Sequence, residues 1–400
     1  MKNYFLLLSI LLSPFLSAQS TTNLAALEEM GLENLAELNS LDHYYLSYEN
    51  NRYRYEGDAL IAVLKTIVID PNYTQVSILI QNRGIGMSAV SFATKDLRAL
   101  KAGEMEARDF AEKAAFTFQV DALINKFATA KKRNASYLKG EVIVGLDLRY
   151  ALGNFDNAVR QKLNVQPELF SVIGKGAAIS GRYNIPNFNE IDEEVNRLEL
   201  ARFTQDIRFK DNIFLNVNFG FYPLNRYGIS TRIDRYMGTE RLKLRFDFGM
   251  TRALYLDENF KVVINNNLNV FNMAGGLAYR WNKFDTDIEF RYGTFLFGDT
   301  GYKTSFRRQF DEVFVGLFLN KTTYGTIAGF DFRVPLSFKR HMKNKGIRIR
   351  SKDFFFLDYN YRYDSNVAVD YFTGSNVLTQ IQEYYPEVLR KKLAKHFNRN

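Results

Sequence analysis

The sequence predicts a mainly β fold: an antiparallel β-barrel of the outer-membrane kind, with about 14 strands and a range of about 12 to 16. A small α/β module precedes it and short C-terminal helices follow. Two observations carry that expectation. From about Tyr137 to Tyr363 apolar and polar residues alternate with period two, segment after segment. The 400 residues are also 15% aromatic, with 35 Phe and 24 Tyr, yet their mean hydropathy is −0.26. So polar an average excludes a bundle of membrane helices, and the 46% hydrophobic content excludes a disordered chain. The lack of cysteine rules out disulfides, thiolate metal sites, a cysteine nucleophile and a lipidated N-terminal cysteine.

The N-terminus supplies an address. Met1, Lys2 and Asn3 form a short positive region, and Tyr4 to Leu16 is apolar apart from Ser9, Ser13 and Pro14. Ser17 and Ala18 before Gln19 give a small-residue cleavage site, so residues 1–18 are expected to be a signal peptide. The run falls short of the roughly 20 residues that span a bilayer, which disfavours an anchoring helix. Removing Lys2 leaves 52 basic against 44 acidic residues, a net charge of +8. That is mild for this length, and with export it disfavours nucleic acid as a partner. The basic residues cluster in two places, Lys339 to Lys352 and Arg390 to Arg399. Each is either a solvated loop or a contact for anionic headgroups or an anionic polysaccharide.

Residues 19–47 carry Leu24, Leu27, Met30, Leu35, Leu38 and Leu41, a spacing that predicts one or two short amphipathic helices around Gly31. Residues 48–136 suit a periplasmic α/β module. Ala59, Leu60, Val63, Leu64 and Ile67 mark a helix face that ends near Asp70 and Pro71. Val76, Ile78 and Ile80 alternate in a strand, and the turn at Gly84-Ile85-Gly86 leads to a second strand through Val90 and Phe92. Asp96 then opens a short helix with Leu97 and Leu100.

Residues 137–364 are the expected transmembrane barrel. Ile213, Leu215, Val217, Phe219 and Phe221 face one way, and Asn216 and Asn218 the other. Leu242, Leu244, Phe246 and Phe248 interleave with Lys243, Arg245 and Asp247, as Ile288, Phe290 and Tyr292 do with Asp287, Glu289 and Arg291. A sandwich would turn the apolar face inward and a barrel would turn it to lipid. Heavily charged polar faces, rings at strand ends such as Phe221-Tyr222, Arg235-Tyr236 and Tyr361 to Tyr363, and the leader favour the barrel. Residues 365–400 form a basic amphipathic extension. Val377, Leu378, Ile381, Tyr384, Tyr385, Val388, Leu389 and Leu393 around Pro386 suit two short helices, lying on the membrane surface or folded back on the module.

Catalytic chemistry has little to stand on. His43, His341 and His396 lie in three separate segments, so neither a zinc site nor a Ser-His-Asp triad is suggested. Gly84-Ile85-Gly86 lacks a third glycine at dinucleotide spacing and is read as a turn. Glu193-Glu194 and Asp285 with Asp287 are better explained as loop or interior acids than as an acid and base pair. The binding candidates are interior-facing: Arg149, Arg202, Asp206, Glu240, Arg245, Asp247, Glu289, Arg291, Asp299, Asp331 and Arg333, with Lys243 and Asp287 among them. Mixed-sign charges of this kind set selectivity by local field, or form salt-bridge ladders that stiffen or plug the interior.

Several segments carry a family resemblance in a shared order. Tyr48-Glu49-Asn50-Asn51-Arg52-Tyr53-Arg54 comes first, then the helix, strand and turn through Arg83-Gly84, then Asp96-Leu97 and Ala102-Gly103-Glu104. Ala201-Arg202-Phe203-Thr204-Gln205-Asp206-Ile207 and Tyr236-Met237-Gly238-Thr239-Glu240 follow. Gly298-Asp299-Thr300-Gly301 precedes Phe306, Phe310, Val315-Gly316, Gly329, Phe330 and Val334-Pro335-Leu336. Taken together, from about Tyr48 to Asp364, they resemble the YjbH-like outer-membrane proteins associated with exopolysaccharide production and export. Where that family usually has Arg before the aspartate and Trp after it, this chain has Gly298 and Thr300. The resemblance implies a non-catalytic outer-membrane protein of a Gram-negative cell that supports export or assembly of an extracellular polysaccharide. The expected partners are outer-membrane lipid, a polysaccharide for which an anionic type is one candidate, and periplasmic or outer-membrane export proteins, with no cofactor or metal. The alternative is a barrel component of a protein-secretion or gliding-motility apparatus.

Overall fold

The computed structural model describes residues 18–152, 159–191, 196–237, 240–256, 262–360, 366–371 and 373–398. The expected leader lies outside them except for Ala18, as do Glu193, Glu194 and the aromatic run Tyr361 to Tyr363. The chain divides into two compact units, residues up to Ser136 together with Glu383 onward, and Tyr137–Gln382. Among the described residues no helix is long and apolar enough to cross a membrane.

The first unit opens with α1 (Ala18–Met30) and the hairpin β1 (Glu33–Ser40) and β2 (His43–Glu49). A helix α2 (Glu56–Thr66) crosses over to β3 (Gln75–Asn82), which lies parallel to β2, the connection a parallel pair requires. Then follow β4 (Ile85–Ala93), α3 (Thr94–Ala102), α4 (Ala107–Lys113), β5 (Ala115–Thr117) and α5 (Asp121–Lys126). The sheet order is β1-β2-β3-β4-β5. Ala59, Leu60, Val63 and Leu64 of α2 are fully buried, as their helical spacing requires. The β3–β4 turn is Arg83-Gly84, both in the left-handed region at φ 51° and 73°, so Ile85 and Gly86 already belong to β4.

One local expectation is overturned. Leu35, Leu38 and Leu41, spaced as if on a helix, fall on strand β1 and its hairpin tip. Leu35 is buried and pairs with Arg133, while Leu41 sits in the turn at φ 42°, fully exposed. A tertiary partner a hundred residues away outweighs the weak helical pattern. At the other end, the expected pair of tail helices is one helix, α6 (Pro386–His396), preceded by two 3₁₀ turns. Helix α6 belongs to this first unit, which selects folding back on the module over lying on a membrane surface. Lys392 lies across Gly57, where a Cβ would come within 2.5 Å of its stem, and its ammonium is 3.7 Å from Asp58.

The second unit is a single 14-stranded sheet. Its strands are β6 (Gly140–Leu152), β7 (Val159–Gly174), β8 (Ala177–Asn189), β9 (Arg197–Phe209), β10 (Ile213–Tyr222), β11 (Arg226–Met237) and β12 (Leu242–Leu256). After them come β13 (Val262–Trp281), β14 (Thr286–Thr294), β15 (Thr300–Phe310), β16 (Val313–Thr322), β17 (Gly325–Pro335), β18 (Ile347–Ser351) and β19 (Phe354–Asn360). From β6 to β17 every neighbour is antiparallel and consecutive. Turns take left-handed residues suited to them, Asp211-Asn212 and Leu224-Asn225 among them.

The two edges of this sheet come round to each other without a closing ladder. β18 pairs in parallel with β6, and β19 pairs antiparallel with β17. Only Lys352 and Asp353 separate β18 from β19, so the first and last strands are tied within about 11 Å at that point. An ion cluster fixes the parallel pairing: Glu141 of β6 binds Arg348 and, at 2.8 Å, Arg350, which reaches Asp353 at 3.1 Å. His341 meets the same Asp353 at 2.9 Å. Arg348 and Arg350 of the basic stretch are thus structural, whereas Lys339, Arg340, Lys343 and Lys345 are exposed.

The two faces of the sheet are inverted relative to a water-soluble protein. Phe203, Phe219, Ile233, Phe246, Met250, Met273, Leu277, Phe290 and Phe306 are exposed on the outer face. Asn164, Asn184, Arg202, Asp206, Asn216, Asn218, Asp234, Arg280 and Asp331 are buried on the inner one. Some rings share the phase of the polar residues. Phe214, Tyr222, Tyr236 and Phe314 are buried on the inner side, where Phe214 meets Tyr236 edge-on at 5.8 Å and Arg333 lies 4.9 Å over Phe314.

Candidate functional site

The inner face is organised by cross-strand register. Arg245 of β12, Gly276 of β13 and Arg291 of β14 stand in one row, and Asp247 with Ala274, then Lys243 with Ala278, flank it. The small residues of β13 leave room for β12 and β14 to meet above them. A Cβ on Gly276 would lie 2.5 Å from the Arg291 stem. Across that gap Arg245 grips Asp234 at 2.9 Å through two nitrogens and Glu289 at 2.9 Å. Arg291 reaches Asp247 at 3.1 Å and Glu289 at 3.2 Å, Arg232 completes Asp247 at 2.7 Å, and Lys243 stands 3.7 Å from Glu289. Arg307 and Asp331 form a separate pair in which Nε of Arg307 donates to both carboxylate oxygens, at 3.0 and 3.1 Å, with Gly316 beside them. Asp285 and Asp287, considered above as an acid and base pair, both bind Arg280, at 3.5 and 2.9 Å.

A chain segment fills the space this wall encloses. Residues 366–371 and 373–382, after the last strand, run along the inner face of strands from β9 to β17. Val367 and Ala368 pack with Ala274, Phe295 and Ile327. The Ala368 amide donates to Asp299 at 2.7 Å, and the Leu296 amide donates to the Val369 carbonyl at 2.9 Å. Asp370 receives Arg291 at 2.5 and 3.2 Å and Lys303 at 2.6 Å. Tyr371 hydrogen-bonds Thr251 at 3.0 Å, its ring lying where a side chain on Gly249 would be. Further on, Arg202 donates to the Ser375 carbonyl at 2.6 Å, Asn376 to Asn216 at 3.3 Å, and the Val377 amide to Asp206 at 3.2 Å. Gln382 donates to Asp287 at 2.9 Å. Between wall and segment a polar cleft of about 20 Å³ remains near Asn216, Arg232, Asp247 and Tyr371, the size of one or two waters.

Of the candidates read from the sequence, Arg245, Asp247, Glu289 and Arg291 are brought into one network, and Arg202 and Asp206 join in holding the segment. Asp331 and Arg333 share an inner face elsewhere. Arg149 is half-exposed and pairs with its neighbour Asp147 at 3.4 Å. Glu240 and Asp299 are buried, but they lie in turns rather than on strands, Asp299 reaching in from the β14–β15 loop. The sequence reading missed Asp234, Arg232, Lys303, Arg307 and the wall contacts of the segment after the last strand, of which it read only Val377, Leu378 and Ile381, as helix. Asp234, Arg232, Lys303 and Arg307 share the period-two phase that flagged the others. Asp370 has no local signal, since its partners lie 79 and 67 residues away. Among the described residues no group of three or more His, Asp or Glu side chains is arranged to hold a metal ion.

Comparison with known proteins gives no match to a family model, a curated protein or a solved structure.

Proposed function

We propose that the protein is a non-catalytic outer-membrane barrel of a Gram-negative cell that supports export or assembly of an extracellular polysaccharide. The observation that carries the reading is the inversion of the 14-stranded sheet, with large apolar side chains exposed outside and ionised ones buried inside. In water such an outer face would forgo up to roughly 1.5–3 kcal/mol for each large side chain left unburied, and soluble monomers rarely leave so many large apolar side chains exposed on one face. Lipid removes that cost and leaves the charged wall facing an aqueous or protein-filled interior. Export of polysaccharide, rather than protein, is favoured by the collinear resemblance to YjbH-like proteins. The α/β module would then stand in the periplasm and meet the export machinery there.

Location is tested by membrane fractionation with heat-modifiable gel mobility. Recovery in the outer membrane, with a band that migrates differently before and after boiling, is expected. Recovery in the soluble periplasm would refute the proposal. Deleting the gene and measuring both surface polysaccharide and secreted protein separates the two export readings. Loss of polysaccharide alone supports this one, and loss of secreted protein alone supports the alternative.

A further inference from the structure

We infer that residues 366–382 are a displaceable stopper, and that the Arg291–Lys303 pair it occupies is a binding site for the carboxylates of an anionic polysaccharide. The inference rests on the reading of the sheet as a membrane-spanning barrel.

Arg291 and Lys303 are direct cross-strand partners in the β14–β15 register and both face inward. Like charges directly opposite on neighbouring strands repel, and although Asp247 and Glu289 partner Arg291, an anion set between Arg291 and Lys303 relieves that repulsion directly. Asp370 is that anion, taking both guanidinium nitrogens of Arg291 and the ammonium of Lys303. Two-nitrogen capture by Arg with an ammonium alongside is the geometry that selects a planar carboxylate.

Charge accounting points the same way. The connected network contains five wall cations, Arg232, Lys243, Arg245, Arg291 and Lys303, and three wall carboxylates, Asp234, Asp247 and Glu289. The wall alone therefore carries an excess of two positive charges among these residues, and Asp370 offsets one of them. Withdrawing the segment exposes a cationic surface, which a passing polyanion can neutralise in its place.

The segment's hold on the wall is mostly polar. The amides of Ala368 and Val377 and the carbonyls of Val369 and Ser375 make bonds that water can replace, and among the described residues its apolar contacts are Val367 and Ala368 at one end, the Tyr371 ring against Gly249 and Tyr222, and the buried Val377, Leu378 and Ile381 at the other. None of its described residues belongs to a strand ladder, so it can leave without breaking the pairing of the strands around it.

The test uses full-length protein in planar lipid bilayers, comparing wild type with Asp370→Ala and with Asp370→Ala combined with Lys303→Ala. Heat-modifiable mobility checks that each variant keeps its barrel. Wild type is expected to be closed. Asp370→Ala should open intermittently, with its reversal potential in a potassium chloride gradient displaced to the chloride side. Short oligogalacturonate should block those openings at concentrations about tenfold lower than neutral maltooligosaccharide, and Lys303→Ala should erase the difference. A steadily conducting wild type, a folded Asp370→Ala protein that stays silent, cation preference, or equal block by both sugars overturns the inference while the barrel reading stands. Failure of every form to insert, with no heat-modifiable band, overturns the barrel reading and the inference with it.

Discussion

The two units of this chain bury opposite kinds of residue. In the α/β module Leu27, Leu35, Leu60, Val63 and Ile78 are fully buried, the ordinary outcome of an aqueous surround. In the 14-stranded sheet Phe219 and Leu317 are each 63% exposed while Asp234 is wholly buried. Propensity does not account for the contrast, since both units contain β-sheet built from the same residue types. What differs is the phase of the alternation relative to the enclosed side. The module resolves its alternation toward an apolar core, and the sheet toward an ionic interior holding a strap of its own chain. That contrast is the observation on which the outer-membrane proposal rests.

The largest effect that could break this comparison lies in the interior. Arg245 bridges Asp234, which is completely buried, and Glu289. Arg245→Ala strands the buried Asp234, while Glu289 keeps Arg291 and Lys243, and should cost about 3–5 kcal/mol, read as a lowered temperature for the heat-modifiable transition. Combining Arg245→Met with Asp234→Leu should recover much of the loss, because the buried charge goes with its partner. A loss of about 1 kcal/mol or less would show that the interior behaves as a wet surface, where such pairs contribute little.

The next effect probes the outer face. Phe219→Arg places a charge where a large ring now faces outward, and a lipid-facing site near mid-depth should lose about 2–4 kcal/mol. The same change at a water-facing position alters stability by about 0.5 kcal/mol or less. Unfolding of the purified protein reconstituted in vesicles distinguishes the two, and a neutral result would remove the main support for membrane residence.

Much of this fold was legible because alternation is local. Val217 and Phe219 against Asn216 and Asn218, or Leu244 and Phe246 against Arg245 and Asp247, announce a two-faced strand without reference to anything distant. The run Ala274-Gly275-Gly276-Leu277-Ala278 held a further signal, since small residues at inward phase let charges on either side meet. Two things stayed hidden. The β1–β2 hairpin turns on Leu41-Asp42, with a leucine at positive φ in place of the Asn or Gly that usually marks such a turn. The strap from Val367 to Asn376 shows no strand or helix periodicity that would mark it, because its contacts are with several separate strands of the wall. Arg202 and Asp206 could be read as inward-facing, but their partners Ser375 and Val377 lie more than 170 residues away.

The smallest effect sharpens the comparison from the module's side, where a carboxyl is buried without an ionic partner of the kind the sheet supplies. Glu56 opens helix α2, is fully buried, and accepts the Tyr48 hydroxyl at 2.7 Å on one oxygen, while its other oxygen has no hydrogen-bond partner. Burial raises its pKa well above the usual carboxylate range, against the Tyr48 hydrogen bond and with help from the charges of Glu383 and Glu49. A helix N-terminus favours a negative charge by only about 0.3–1 kcal/mol, too little to offset complete burial. The unfolded chain releases this proton near pH 4.3, earlier than the folded one does. The group's contribution to stability is therefore whole below about pH 4.3 and is lost as pH rises toward its folded pKa. Glu56→Gln keeps an acceptor for Tyr48 and has no proton to lose. The variant should match wild type near pH 4 and exceed it by on the order of 1 kcal/mol at pH 8. Hydrogen exchange of the amides from Tyr44 to Leu64 in the full-length protein measures this, and parallel wild-type and variant profiles from pH 4 to pH 8 would show that Glu56 is ionised in place.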